Sequence, residues 1–177
     1  MRIIRGKLKT KRVTVPKSFP SRPTTDFAKE GLFNMLENRV EFGELNILDL
    51  CSGTGNISFE FISRDAGTLT AVDSNFNCIR HVRKLAKEFE VDGDISIIQS
   101  DIIKYLSSSN NKYDIIFADP PYEFPKYAEI VEHVFTRGLL AEDGFVIVEH
   151  GKRTDLSALP HFVDSRAYGN VVFSFFE

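Results

Sequence analysis

The chain has 177 residues, 42% hydrophobic and 27% charged, which is single-domain length and an ordinary globular composition that excludes a disordered polymer. No apolar run reaches the ~18–20 residues of a membrane span, and no apolar signal core opens the chain. Two cysteines, Cys51 and Cys78, cannot build a disulfide framework, so a cytoplasmic protein is expected. The 22 Lys+Arg against 25 Asp+Glu give a net charge of -3, which taken whole argues against a nucleic-acid partner. The sum hides a split: residues 1–22 hold eight basic side chains and no acid, leaving the remainder at -11. A basic arm over 1–22 on an acidic domain over 23–177 is therefore expected.

In chain order, Arg2-Ile3-Ile4-Arg5-Gly6 and Arg12-Val13-Thr14-Val15 read as a small N-terminal hairpin. A loop over 18–23 follows, then a helix cap at Thr24-Thr25-Asp26 and an amphipathic helix to about Arg39. Residues 45–50 form a buried-strand run ending in Ser52-Gly53-Thr54-Gly55, with a helix over 56–63 behind it. Strands are expected at 68–72, 94–99, 112–118 and 144–149, alternating with helices at 75–90, 102–106 and 126–136. A closing antiparallel pair, 162–165 and 171–176, turns at Tyr168-Gly169-Asn170. Alternating strands and helices predict an α/β, Rossmann-like, mostly parallel sheet, whose ligands sit beyond the carboxyl ends of the strands.

Four motifs fall at those ends. Asp49-Leu50-Cys51-Ser52-Gly53-Thr54-Gly55 is either a plain tight turn or a loop that lets the backbone approach a ligand. Ser58 stands where GxGxxG needs its third glycine and no GxxxxGK[ST] exists, so a nucleoside ligand lacking a pyrophosphate is favoured. Asp73 can accept two ribose hydroxyls or be a simple strand-end acid. Asp101, followed by Ile102, can cap the next helix or bond an adenine amine while the aliphatic chain packs on the ring.

Asp119-Pro120-Pro121-Tyr122 is the most specific signal. Two prolines stiffen the backbone and remove two N–H donors, leaving the Asp119 carboxylate and the Pro120 carbonyl as acceptors. That pair suits an exocyclic amine, and Tyr122 offers a face for a flipped base. No cysteine adjoins Pro120, which disfavours carbon methylation through a thiolate, and the two cysteines read as packed thiols. His81, His133, His150 and His161 fall in no metal-ligand pattern, so no metal is expected.

This order of motifs resembles the class I S-adenosylmethionine-dependent amino-methyltransferases. The flanks sharpen the likeness: Arg2-Ile3-Ile4-Arg5-Gly6, Val15-Pro16, Arg22-Pro23-Thr24-Thr25-Asp26, Glu30-Gly31-Leu32-Phe33-Asn34 and Ser63-Arg64-Asp65-Ala66-Gly67 resemble the bacterial 16S rRNA guanine-N2 methyltransferases of the RsmD type. The resemblance runs nearly end to end. It implies a seven-stranded sheet with helices on both faces and an antiparallel C-terminal strand. It also implies S-adenosylmethionine held by Asp49, Gly53, Gly55, Asp73, Asp101 and Ile102, and a target amine held by Asp119, Pro120 and Tyr122. Substrate RNA would meet Arg22, Thr24, Thr25 and Asp26, together with the arm cations Arg2, Arg5, Lys7, Lys9, Lys11 and Arg12. Two departures stand out: Phe27 occupies a position where that family often has a basic residue, and the segment after Tyr122 is short. The expected partner is 16S rRNA or a small-subunit assembly particle, bound by a monomer without membrane or metal. An adenine-N6 nucleic-acid methyltransferase and a non-catalytic RNA-binding assembly factor are the rival readings.

Overall fold

The computed structural model describes residues 1–15, 19, 24–121 and 123–177. Its elements are α1 (Asp26–Glu37), β1 (Asn46–Leu50), α2 (Asn56–Ser63), β2 (Thr68–Asp73), α3 (Phe76–Glu88) and β3 (Ile95–Gln99). After them come α4 (Ile102–Ser108), β4 (Tyr113–Ala118), α5 (Tyr127–Thr136), β5 (Leu140–Gly151), β6 (Phe162–Tyr168) and β7 (Val171–Phe176). The strands form one seven-stranded sheet in the order β3-β2-β1-β4-β5-β7-β6. All pairs are parallel except those made by β7, which runs antiparallel between β5 and β6.

Period-two alternation divides the core between the two faces of the sheet. Ile47, Ile115, Phe117 and Ile147 pack with α1, α2 and α3 on one side. Leu48, Leu50, Ile116, Ala118 and Val148 pack with α4 and α5 on the other. A switch point follows: the chain leaves β1 toward β2 on one side, while β4 adjoins β1 on the other.

Two departures from the sequence reading have local causes. β5 begins at Leu140 rather than 144, because Glu142 and Asp143 interrupt the apolar pattern while the pairing with β4 shifts register between Tyr113 and Ile115. The expected hairpin is present in short form: an antiparallel bridge joins Arg2 and Arg12, flanked by Ile3 N–H to the Lys11 carbonyl at 3.3 Å and the Met1 amine to the Val13 carbonyl at 3.2 Å. The body takes further arm amides. Ile4 and Arg5 N–H donate to the Glu60 carboxylate at 2.9 and 3.2 Å, and Leu8 N–H donates to the Ser63 hydroxyl at 2.9 Å. Ile3, Leu8 and Val13 are buried in the α1–α2–α3 core.

Beneath the arm lies a buried charge network. Lys29, fully buried on α1, reaches Glu60 at 3.2 Å, the Arg2 carbonyl at 2.7 Å and the Asn56 side-chain oxygen at 2.7 Å. Arg64 pairs with Glu60 at 2.9 Å and also with Glu37. Burial lowers the Lys29 pKa, and Glu60 opposes that by attraction and a hydrogen bond.

Candidate active site

Asp49, Asp73, Asp101 and Asp119 all lie at the carboxyl edge of the parallel strands, whereas Asp26 opens α1. Asp49, the penultimate residue of β1, is buried and accepts a hydrogen bond from the Ser58 hydroxyl on α2. Its pKa is pushed up to about 7, first by burial and then by the Asp73 and Glu149 carboxylates, against the lowering by Ser58. Beyond β1 the backbone enters the left-handed region at Cys51 (φ 62°), Gly53 (φ 54°) and Gly55 (φ 80°). At Gly55 a side chain is also excluded by packing, since a Cβ would stand 2.7 Å from the Phe59 ring.

Asp73 ties the loop in place. One of its oxygens accepts from Gly53 N–H at 2.9 Å and the other from Asn75 N–H at 2.8 Å. Burial nevertheless raises its pKa. Each carboxylate oxygen keeps an unused lone pair, so both remain open to a ligand hydroxyl. Asp101 caps α4, accepting from Ile103 N–H at 2.9 Å and Lys104 N–H at 3.1 Å through a single oxygen. Ile102 beside it is buried.

Asp119 follows β4, its N–H held by the Leu50 carbonyl at 3.1 Å. Its carboxyl is raised well above the ordinary carboxylate range by burial and by the nearby Glu149 and Asp49 carboxylates. Pro120 is buried. Tyr122 and Arg22 lie outside the described residues.

Glu149 completes the group, and the sequence reading passed over it. It sits inside the apolar β5 run, and only the pairing of Ala118 with Val148 sets it beside Asp119, one step beyond that pair. It is buried, its pKa is pushed up to about 7 by desolvation, and its Oε2 accepts from the Thr24 hydroxyl at 2.7 Å. Thr24 is also buried, and its carbonyl accepts from Asn56 at 3.2 Å. Thr25 caps α1, accepting from Ala28 N–H at 3.2 Å.

The arm cations are differently placed. Arg2 stands 3.8 Å from Asp26, Arg5 pairs with Glu37 at 2.6 Å, and Lys7 lies 3.6 Å from Asp65 and 3.1 Å from Asp94. Lys11 lies over the Phe89 ring. Lys9 and Arg12 are exposed and make no ion pair among the described residues. Burial pushes the Cys78 thiol up to about 12 and raises Cys51 further still, so neither is a ready nucleophile.

A group fitting this edge would be cationic and rich in hydroxyls. Asp49, Asp73, Asp119 and Glu149 make no ion pair among the described residues, and the Ser52 hydroxyl is buried there without a partner. A sulfonium nucleoside meets both requirements. Among the described residues no group of His, Cys, Asp or Glu is arranged to hold a metal ion, and no helix is long and apolar enough to cross a membrane.

Comparison with known proteins gives concordant results. The family described as conserved hypothetical protein 95 matches residues 1–177. YlbH of Bacillus subtilis is 30% identical over 159 residues, covering 88% of this chain and 85% of the relative. The ribosomal RNA small subunit methyltransferase D of Escherichia coli K12 is 27% identical over 160 residues, covering 90% and 79%. Among solved structures, yhhF from Escherichia coli superposes with a TM-score of 0.87 at 23% identity, covering 99% of this chain and 96% of that one. A hypothetical protein of Thermus thermophilus gives 0.86 at 21%, covering 100% and 99%. At these identities the structures establish a shared fold.

Proposed function

Because the chain belongs to the family described as conserved hypothetical protein 95, we propose that it transfers a methyl group from S-adenosylmethionine to the 2-amino group of a guanine in 16S rRNA. Small-subunit methyltransferase D relatives support the rRNA substrate. The observation that carries the chemistry is the row of four buried or half-buried carboxylates at the strand ends, unaccompanied by a cation among the described residues, with one of them on the rigid Asp119-Pro120-Pro121 turn.

When bound, S-adenosylmethionine supplies an electrophilic methyl on a positively charged sulfur. Asp49, Gly53, Gly55 and Asp73 form the wall that holds it, with Asp101 and Ile102 at the far end of that wall. The Asp119 carboxylate and the Pro120 carbonyl accept the two amine N–H bonds, which aims the nitrogen lone pair. So aimed, the amine nitrogen would take the methyl that the bound donor supplies, the donor's sulfur would keep the electron pair of the broken bond, and the amine would give up one proton. Asp119, whose basicity is raised by burial and by Glu149, is the acceptor for that proton. Tyr122 is proposed as the ring that the extruded base would meet. Thr25 and Asp26 at the start of α1 would meet the RNA, Arg22 is proposed as a further contact, and buried Thr24 acts through Glu149. Lys9, Lys11 and Arg12 are the arm's free contribution to phosphate contact. The reaction runs in the monomer, in the cytoplasm, on naked rRNA or on an assembly particle.

Incubation with tritiated methyl donor and small-subunit RNA tests the reading, followed by nucleoside mass spectrometry. N2-methylguanosine is the expected product. N6-methyladenosine, or cofactor binding without transfer on either substrate form, overturns it.

A further inference from the structure

Beside the acidic edge runs a groove of about 740 Å³, between the start of α1, the end of β5 and the β6–β7 turn. Its size falls within the roughly 300–1,000 Å³ of small-ligand sites. Thr24 and Glu123 also line it, and the Thr24 hydroxyl donates to Glu149, the carboxylate that neighbours Asp119. An aromatic pair lies on one wall. Phe27 is 68% exposed, an unusual state for phenylalanine, and meets Tyr168 edge to face at 6.0 Å. Tyr168 is fixed by close packing on α1, since a Cβ at Gly31 would fall 2.1 Å from its ring. On the other wall Lys152 and Arg153 are exposed and form no ion pair among the described residues, in contrast to Arg2, Arg5 and Lys7. Among the described residues Glu123 is the single acid lining the groove.

A rigid ring edge flanked by unpaired cations is the combination that binds single-stranded nucleic acid: bases stack and phosphates are neutralised. We propose that this groove seats the nucleotide next to the target base, its base on Phe27 and its phosphate between Lys152 and Arg153. The proposal rests on the RNA reading above and locates the neighbouring nucleotide that such a target requires. Extruding one base unstacks its neighbour, and an exposed aromatic ring gives that neighbour a new stacking surface.

The test uses the full chain and a fluorescein-labelled single-stranded RNA of about 12 nucleotides. Anisotropy is read across a salt series, with calorimetric cofactor binding in parallel. Lys152→Gln/Arg153→Gln is expected to weaken RNA binding at least about 10-fold and lower the salt slope by about two. Phe27→Ala is expected to weaken it by about 5-fold or more without changing the slope. Cofactor affinity should hold in both, and all three side chains are exposed enough to leave folding intact. Unchanged affinity and slope overturn the groove, whatever the methylation assay gives. Full naked-RNA binding with loss of methylation only on assembled particles also overturns it, since the groove then faces a ribosomal protein. Should the wild type methylate no guanine while these variants still lose RNA, the reaction assigned above falls and the groove stands.

Discussion

Two sets of charged side chains, one under the N-terminal arm and one at the strand ends, are built on opposite plans. Under the N-terminal arm, Lys29, Arg64, Glu60 and Glu37 alternate in sign, and arm amides satisfy the remaining valences of Glu60. At the strand ends, Asp49, Asp73, Asp119 and Glu149 share one sign and answer one another only by repulsion. Burying a charge costs several kcal/mol unless a partner offsets it, so a one-signed cluster persists only where something else is gained. The balanced set fastens the arm to the body. In the proposed reaction, the unbalanced set is completed by the cationic methyl donor.

Removing a charge from each set should separate these roles. The largest effect is expected at Asp119→Ala, which should reduce methyl transfer by at least about 100-fold while leaving calorimetric cofactor binding largely intact. Relief of carboxylate repulsion should leave its stability unchanged or slightly raised. Full activity in that variant would undo the assignment of the Asp119 turn.

Lys29→Met should behave in the opposite way. It leaves Glu60 with Arg64 and two arm amides as its remaining partners, and the loss of the Lys29 pair should cost on the order of 2–3 kcal/mol in urea unfolding. A loss under about 1 kcal/mol would mean that the network is not the fastening it is taken for.

The pH response distinguishes the sets again. Asp49 and Glu149 have folded pKa values of about 7, above their unfolded values. Between roughly pH 4 and 7 the folded chain therefore holds more protons than the unfolded chain, and their contribution to stability is lost as pH rises through 7. His81 and His150, whose pKa values are lowered by burial, act in the reverse direction. The clean measurement is the difference between wild type and Glu149→Gln. The wild type should lose stability relative to the variant by on the order of a few kcal/mol from pH 5 to 8. A pH-independent difference would refute the shift. Binding of a cationic methyl donor should tighten over the same interval, more than binding of its neutral product.

The smallest effect is expected at Arg5→Gln. The Arg5 side chain is exposed, and its loss should change stability by less than about 1 kcal/mol.

How much of this could be read beforehand follows from where each signal resides. Asp49, Asp73, Asp101 and Asp119 each end or follow an apolar run, so strand periodicity alone placed them at one edge. Glu149 could not be placed that way, because its setting comes from the register between β4 and β5, which the linear pattern does not contain. Lys29 did carry a sign: it lies three and four residues before Leu32 and Phe33, inside the apolar stripe of α1. A lysine there reads as a long side chain escaping to solvent, and only the carboxylate of Glu60, contributed by α2, reverses that reading. The spatial neighbours of the arm cations could not be read either: Arg2, Arg5 and Lys7 have Asp26, Glu37 and Asp94 beside them, contacts that the linear count of basic residues does not contain.

The insertion of β7 between β5 and β6 bears on how the chain assembles. Until the β6–β7 hairpin docks, β5 presents an unpaired edge along Val146, Ile147 and Val148, all of which are buried in the finished sheet. Such an edge is a template for another molecule's strand. The hairpin thus acts as a late seal, and weakening its docking should appear first as aggregation during refolding and only afterwards as a lower melting temperature.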